Sequence, residues 1–577
     1  MSIEEIVSAA AGREKVDTLF VNGKVINVFT GEIIEQNVAV KEGIVCGFGN
    51  YEAFEKVDMG GLYLAPGFMD AHVHIESAMV TPFNFAWGVL PLGTTTVIAD
   101  PHEIANVMGF VGINYMLRSA VSTPMNIYFT TPSCVPATDM ETAGAKIEIG
   151  DTKFFLGHHR IVALAEMMNC QGVINVNPQV MEKLRAARRS GKIVDGHAPG
   201  LSGRELCAYA AAGIVSDHEC TTAGEALEKI RLGMYIMIRE GTCAKNFDAL
   251  LPAVTDTTWH RMMWCTDDRH PEDILEHGHV DHIVRKAVAA GMNPVRAIQM
   301  ATINCADYFG IEDAGAIAPG RRADMVTFTD INCPVVEHVI VKGKVVAQKG
   351  HMLPEFNGHC QVAEPSTPMT VNPGAVDFTI SLPRDLGENL AVRVIGVVPD
   401  QVVTRALVMS PLQEDGLAVS DVKRDMLKIA VIERYTGKNG MAKGFVNGLG
   451  LKRGAIASTV AHDSHNIIVT GVDDGDMHAA LRGVTAMGGG FVVVCNGRIE
   501  AKLPLPVAGL MSREPLYRVR EMMAEVINAA GKLGTSLADP FMALGFLSLP
   551  VIPALKITDK GLVDVEKFQL VPLFCTQ

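Results

Sequence analysis

Residues 65–75, APGFMDAHVHI, decide how the rest of the chain is read. An apolar run ends in two histidines one residue apart. In a strand, side chains alternate faces, so His72 and His74 point one way and Val73 the other. Two imidazoles on one strand face make half of a metal site. Asp70 precedes the pair and Glu76 follows it. Polar residues at an ordinary strand end look the same, so the meaning depends on what recurs downstream.

What recurs is a short apolar strand that ends in polar residues, followed by a helical segment. TTTVIAD, NIYFTTPS, RIVALAEM, KIVDGHA, GIVSDHE, MYIMIRE and RMMWCTDD repeat the pattern of the first strand between residues 94 and 268. Strands alternating with helices predict parallel pairing, and eight such units predict a closed (β/α)8 barrel of the TIM type. An open doubly wound sheet would carry a glycine-rich phosphate loop after its first strand, and none follows here.

Around the barrel the texture differs. Residues 16–64 alternate short β-rich pieces with NG, TG and KEG turns, and GAIAPGRRADMVTFTD and VEHVIVKGKVVA return to that texture after the barrel. We therefore expect a small β-sandwich built from both flanks: residues 1–64 and 314–360, with the barrel at 65–313. Residues 361–577 hold RVIGVV, KIAVIERY, NIIVTG and GGFVVVCNGRIEAKLPL, which predict an additional C-terminal α/β or α+β domain.

The 577-residue chain carries a formal charge of −14, which argues against nucleic-acid and membrane-surface roles. No stretch reads as an export signal or a membrane span. The 12 cysteines show no CxxC spacing and read as small buried hydrophobes, which fits a cytoplasmic location.

In barrels of this class the active site gathers at the C-terminal strand ends. His72 and His74 close the first strand, Glu166 the fourth, His197 the fifth, His218 the sixth and Asp267 the eighth. Any one of them is more often a structural residue than a ligand. Six converging on one rim supply nitrogen and oxygen donors without thiolate, a set suited to Zn, Mn or Fe(II). Six ligands exceed one tetrahedral site, so two metals sharing a bridging group are expected.

These motifs resemble the amidohydrolase superfamily, and within it the bacterial-type adenine deaminase family. PGFMDAHVHIESAM, TTTVIADPHEIANVMG, SCVPA, LAEMM, DGHAPGLSGREL, SDHE, IREG and CTDDR follow that family's pattern in order. AHDSHNIIVTG, LPLPVAGLMS and FLSLPVIPALK extend the likeness through the C-terminal block. The resemblance implies a binuclear centre, with His72, His74 and Asp267 on the more buried metal and His197 and His218 on the other. Glu166 occupies the slot where many amidohydrolases place a carboxylated lysine, and a glutamate bridges without modification. The resemblance also favours Mn or Fe(II) over Zn and implies a homodimer in purine salvage.

Hydrolytic deamination of adenine to hypoxanthine and ammonia needs a hydroxide at C6, a proton for N1 and a protonated leaving amine. Two cations lower the pKa of a bridging water. Asp267 can take its proton and pass it on. His102 and Glu103, after the second strand, are the candidates for N1, with Glu103 a neutral acid if burial raises its pKa; a helix cap is the plainer reading of that segment. Ser133 and Cys134 are candidate purine contacts. Glu76 could orient His74 or contact substrate, and Asp268 should point away from the site in a structural hydrogen bond. In the C-terminal domain, His462, Asp463 and His465 of AHDSHN either reach the active-site mouth, bind another ion, or form a hydrogen-bonded loop. The rival readings are hydrolysis of a cyclic amide or another aminated heterocycle, which Glu166 disfavours, and a metal-free assembly protein, which six filled positions disfavour.

Overall fold

A computed structural model describes residues 2–576 except 243, 357, 359–361, 384–389 and 400. All eight expected barrel strands are present: β1 Phe68–Val73, β2 Thr94–Ala99, β3 Asn126–Thr131, β4 Ile161–Met167, β5 Ile193–Gly196, β6 Ser216–Asp217, β7 Tyr235–Arg239 and β8 Met262–Cys265. Strands β1 to β5 form one parallel sheet and β6 to β8 another. Two parallel bridges, Val194↔Ile214 and Val73↔Asp267, join them into a closed barrel. The strands read as continuous apolar runs because they are covered on both faces; β1, β2 and β8 are buried along their whole length. Met69, Ala71, Ile98, Ala163, Met237, Met263 and Cys265, from five of the strands, share one buried cluster.

The flanking sandwich forms from both sides of the barrel, as the turn-rich texture predicts. A four-stranded sheet uses Val16–Val21, Val38–Lys41, Ile44–Phe48 and Ala53–Asp58. A seven-stranded sheet pairs Tyr63–Pro66 antiparallel with Met325–Phe328, so early and late segments share one ladder. Phe20, Val25, Val40, Leu64, Met325 and Ile340 fill the space between the sheets. The KEG turn is tight, with Glu42 at φ 47° and Gly43 at φ 79°, as a two-residue hairpin demands. Residues 3–10 form an N-terminal helix whose Ser2 and Glu5 cap each other.

The C-terminal domain is α+β. Its nine-stranded sheet is antiparallel except where Leu390–Val397 meets Met441–Asn447. Alternation along the strands serves two layers. Ala430, Ile432, Val492 and Val494 pack with helix Asp474–Ala486, whereas Ile429, Val431, Val493 and Cys495 join the core that includes helix Leu516–Leu533. This domain sits on the barrel rim: the Ser512 amide donates to Met79 O at 2.7 Å, and the Thr142 amide to Asp559 Oδ1 at 2.8 Å. Gly144 lies in that seam, where a Cβ would come within 2.1 Å of Val107 O and 2.6 Å of the Tyr435 ring. No helix among the described residues is long and apolar enough to cross a membrane.

Candidate metal centre

His72 of β1 and His74, just after it, meet the carboxylate that follows β8 because the barrel closes between them. The Asp267 amide donates to His72 O at 2.9 Å and the His74 amide to Asp267 O at 3.1 Å. Asp267 itself has φ 59°, a left-handed conformation a non-glycine residue adopts at a cost of about 1–3 kcal/mol. Its Oδ1 lies 3.0 Å from His74 Nε2 and 3.5 Å from His72 Nε2, and those two nitrogens are 3.2 Å apart. Asp70 takes no part in the site. It accepts from the His72 amide and from Thr266 Oγ1, tying β1 to the end of β8.

Glu166 stands between two groups. Its Oε1 is 3.6 Å from His74 Nε2 and 3.3 Å from His102 Nδ1; its Oε2 is 2.7 Å from His197 Nδ1 and 3.2 Å from His218 Nε2. His72 stacks on His218 with centroids 4.2 Å apart. Burial pushes the Glu166 carboxyl up, but hydrogen bonds from His102, His197 and His218 outweigh it and hold the group well below the usual carboxylate range. The six residues expected from the strand ends therefore lie together, with nitrogen and oxygen donors converging and no thiolate among them. That donor set fits divalent metal ions.

Three further residues of the site were not expected from the sequence. Arg239, at the end of β7, donates to Asp267 Oδ2 at 2.7 Å and also bonds Glu219, the residue after His218. Burial opposes the charge on Asp267, yet Arg239, His72 and His74 keep its carboxyl well below the usual range. Asp100, the residue after β2, lies 3.0 Å from His102 Nδ1 through Oδ2 and takes His74 Nδ1 on its backbone oxygen at 3.1 Å.

His102 and Glu103 begin the helix His102–Val121, which breaks at Gly109 (φ 54°). Glu103 is not the neutral acid that burial alone would make it. Burial does raise its pKa, but the imidazoles of His462, His465 and His102 around it hold it well below the usual range. His462 Nδ1 lies 2.8 Å from Glu103 Oε1, and His465 Nε2 bonds Oε2. His462, stacked on Phe546, is pushed up to about 9 by Glu103 against the effect of burial. Asp463 is buried beside them with one oxygen unpartnered among the described residues, and burial raises it to about 6.

A pocket opens between the rim and the C-terminal domain. Glu76, Met79, Glu103 and Asp268 line one wall, and His462, His465, Phe491, Phe541 and Met542 the other. Glu76 accepts the Ile104 amide through Oε1, whereas its buried Oε2 has no partner among the described residues. Burial pushes this carboxyl to about 7. Asp268 accepts from Ser77 Oγ, as expected, yet it lines the pocket too, because the chain has already left the strand there. Ser133 and Cys134 lie elsewhere: Ser133 Oγ donates to Glu166 O at 2.6 Å, and neither residue lines this pocket.

The loop that carries His218 hangs on a buried ion pair. Lys229 Nζ lies 2.6 Å from Asp217 Oδ2, both side chains are fully buried, and Asp217 also receives the Ala198 amide. Removing one charge strands the other, so Lys229→Met is expected to destabilise the protein by about 3–5 kcal/mol in denaturant titration. Burial raises Asp217, but Lys229 and His218 more than offset that and bring it to about 2. Because the folded value lies below that of an unfolded aspartate, the pair's contribution is complete above about pH 4 and is lost as the pH falls toward 2. An unfolding free energy independent of this substitution would refute the assignment.

Residues 63–346 match the amidohydrolase family, and residues 401–569 match the adenine deaminase C-terminal domain. Over 571 residues the chain is 50% identical to the adenine deaminase of Desulfatibacillum aliphaticivorans, covering 99% of each chain. It is 47% identical over 575 residues to the adenine deaminase of Methanothrix thermoacetophila, covering 100% of both.

Proposed function

The chain belongs to the adenine deaminase family of amidohydrolases, and we propose from that membership and the site geometry how its residues convert adenine to hypoxanthine and ammonia. It is a metal-dependent hydrolase acting on a C–N bond. The observation that carries the mechanism is the placement of Glu166, one carboxylate between two sets of imidazoles. In this reading His72, His74 and Asp267 would hold one divalent cation and His197 and His218 a second, with Glu166 as the carboxylate available to both. Such cations supply a water acidic enough to ionise at neutral pH. Mn or Fe(II) is the expected pair, on the nitrogen and oxygen donor set and the family likeness.

The remaining steps belong to the side chains. Asp267, steadied by Arg239 on Oδ2, takes the proton of the attacking water and returns it to the departing amine. The purine occupies the pocket at the rim, where the unpartnered Oε2 of Glu76 is free to read its edge. Glu103 faces N1, and the proton N1 needs is drawn through it from His462, 2.8 Å away. His102, between Asp100 and Glu103, links this relay to Glu166. The reading extends to a cytoplasmic homodimer working in purine salvage, on the family likeness.

The test is ammonia release from adenine by protein stripped of metal and reloaded with Mn, Fe(II) or Zn. Activity is expected to return with two equivalents of metal. Glu103→Ala is expected to keep both equivalents while losing about 10²–10⁴ in kcat, the usual range for a general acid–base group. If adenine stays inert under every metal while two equivalents bind, the substrate is another aminated heterocycle or a cyclic amide. Wild-type kcat in Glu103→Ala would remove Glu103 from the mechanism.

A further inference from the structure

Glu103 stands on the barrel, but two of the groups that bond its carboxylate come from the C-terminal domain, and His465 is the more constrained of them. Its Nδ1 lies 3.2 Å from the backbone nitrogen of Ala461. An amide N–H only donates, so Nδ1 carries a lone pair. The single proton of the neutral ring therefore sits on Nε2, the atom that faces Glu103 Oε2. The residue has little freedom to move: it is 1% exposed, and the buried Arg434 donates to its carbonyl at 2.6 Å.

This tautomer also bears on what the cluster does. The ligand atoms of Glu103, His462 and His465 lie within 4.8 Å of one another, close enough to invite a third cation. Coordination through Nε2 would require the ring proton to move to Nδ1 and would break the bond from the Ala461 amide. The group is a hydrogen-bond clamp that reaches across the domain boundary.

We propose that His465 is a positioning residue for the deamination, fixing the orientation of Glu103 so that the barrel's purine-facing carboxylate is aimed only when the C-terminal domain is docked. The inference rests on the assignment of Glu103 to N1 made above. It gives the C-terminal domain a defined part in the chemistry besides walling the pocket.

Three substitutions separate positioning from packing. Asparagine keeps an acceptor near the place of Nδ1 but is too short to reach Glu103. Glutamine carries an N–H to the place of Nε2, and alanine does neither. We expect kcat to fall about 10–100-fold in His465→Ala and His465→Asn, with KM moved less, and to recover substantially in His465→Gln. All three should retain two metal equivalents. Recovery in His465→Asn but not in His465→Gln, in step with thermal stability, would show a packing role and overturn the proposal. In the cycle with Glu103→Ala, the second substitution should add no further loss; an additive loss also overturns it. Failure of the underlying assignment reads differently, as wild-type kcat in Glu103→Ala alone.

Discussion

Replacing Glu166 with alanine is expected to leave the protein unable to retain either cation and to lower kcat for adenine by more than about a thousandfold, ~4 kcal/mol at 1.36 kcal/mol per decade. The size follows from geometry. One carboxylate presents Oε1 to His74 and His102 and Oε2 to His197 and His218, so its loss removes a donor from both halves of the centre at once. It also leaves four imidazoles crowded together without the negative charge that offsets them. Metal analysis after desalting, paired with ammonia release, reads both effects. Glu166→Gln, nearly the same shape, distinguishes loss of charge from loss of packing. Two equivalents retained with kcat within tenfold of wild type would sink the shared-carboxylate reading.

The second large effect is expected at Asp267. Asp267→Asn preserves an oxygen toward His72 and His74 but cannot accept the water's proton, so kcat should fall by about 10²–10⁴ while much of the metal stays. The orientation makes this substitution informative. Arg239 holds Oδ2 at 2.7 Å, leaving Oδ1 for the histidines, and an asparagine can satisfy only one of these neighbours with its oxygen. Single-turnover measurements on metal-loaded protein separate chemistry from binding. An unchanged chemical rate would reduce Asp267 to a ligand and move the base elsewhere, with Glu219, bonded to the same arginine, the next residue to test.

The barrel was legible because buried parallel strands are written as apolar runs that turn polar at one end. That rule also located His72, His74, Glu166, His197, His218 and Asp267. Applied evenly, it would also have pointed to Asp100, Glu219 and Arg239, which stand at or just after strand ends in the same way. The Ser2–Glu5 capping box was equally available. The orientation of Asp268 was misjudged because alternation was carried past the strand: β8 ends at Cys265, and the left-handed backbone at Asp267 resets the faces.

The clamp on Glu103 was beyond reach of the same methods. His462 and His465 lie 359 and 362 residues away in sequence, and no local periodicity reports a contact of that span. The expectation of a neutral Glu103 failed for that reason. Burial can be inferred from an apolar neighbourhood, but the imidazoles that reverse its effect arrive from another domain. Ser133 and Cys134 were placed by a different signal: a small residue at a strand end shows that space is tight there, without showing which way its side chain turns.

The shared ladder of the flanking sandwich sets an order for synthesis. Tyr63–Pro66 pairs with Met325–Phe328, whose residues leave the ribosome roughly 260 positions later, about 13–50 s at 5–20 residues per second. For that interval the early strands present an unsatisfied apolar edge while the barrel is still being made. The nascent chain therefore carries a timed vulnerability, and anything that stalls translation inside the barrel prolongs it. A chain released before residue 325 would keep that edge permanently, as a template for association with its own copies.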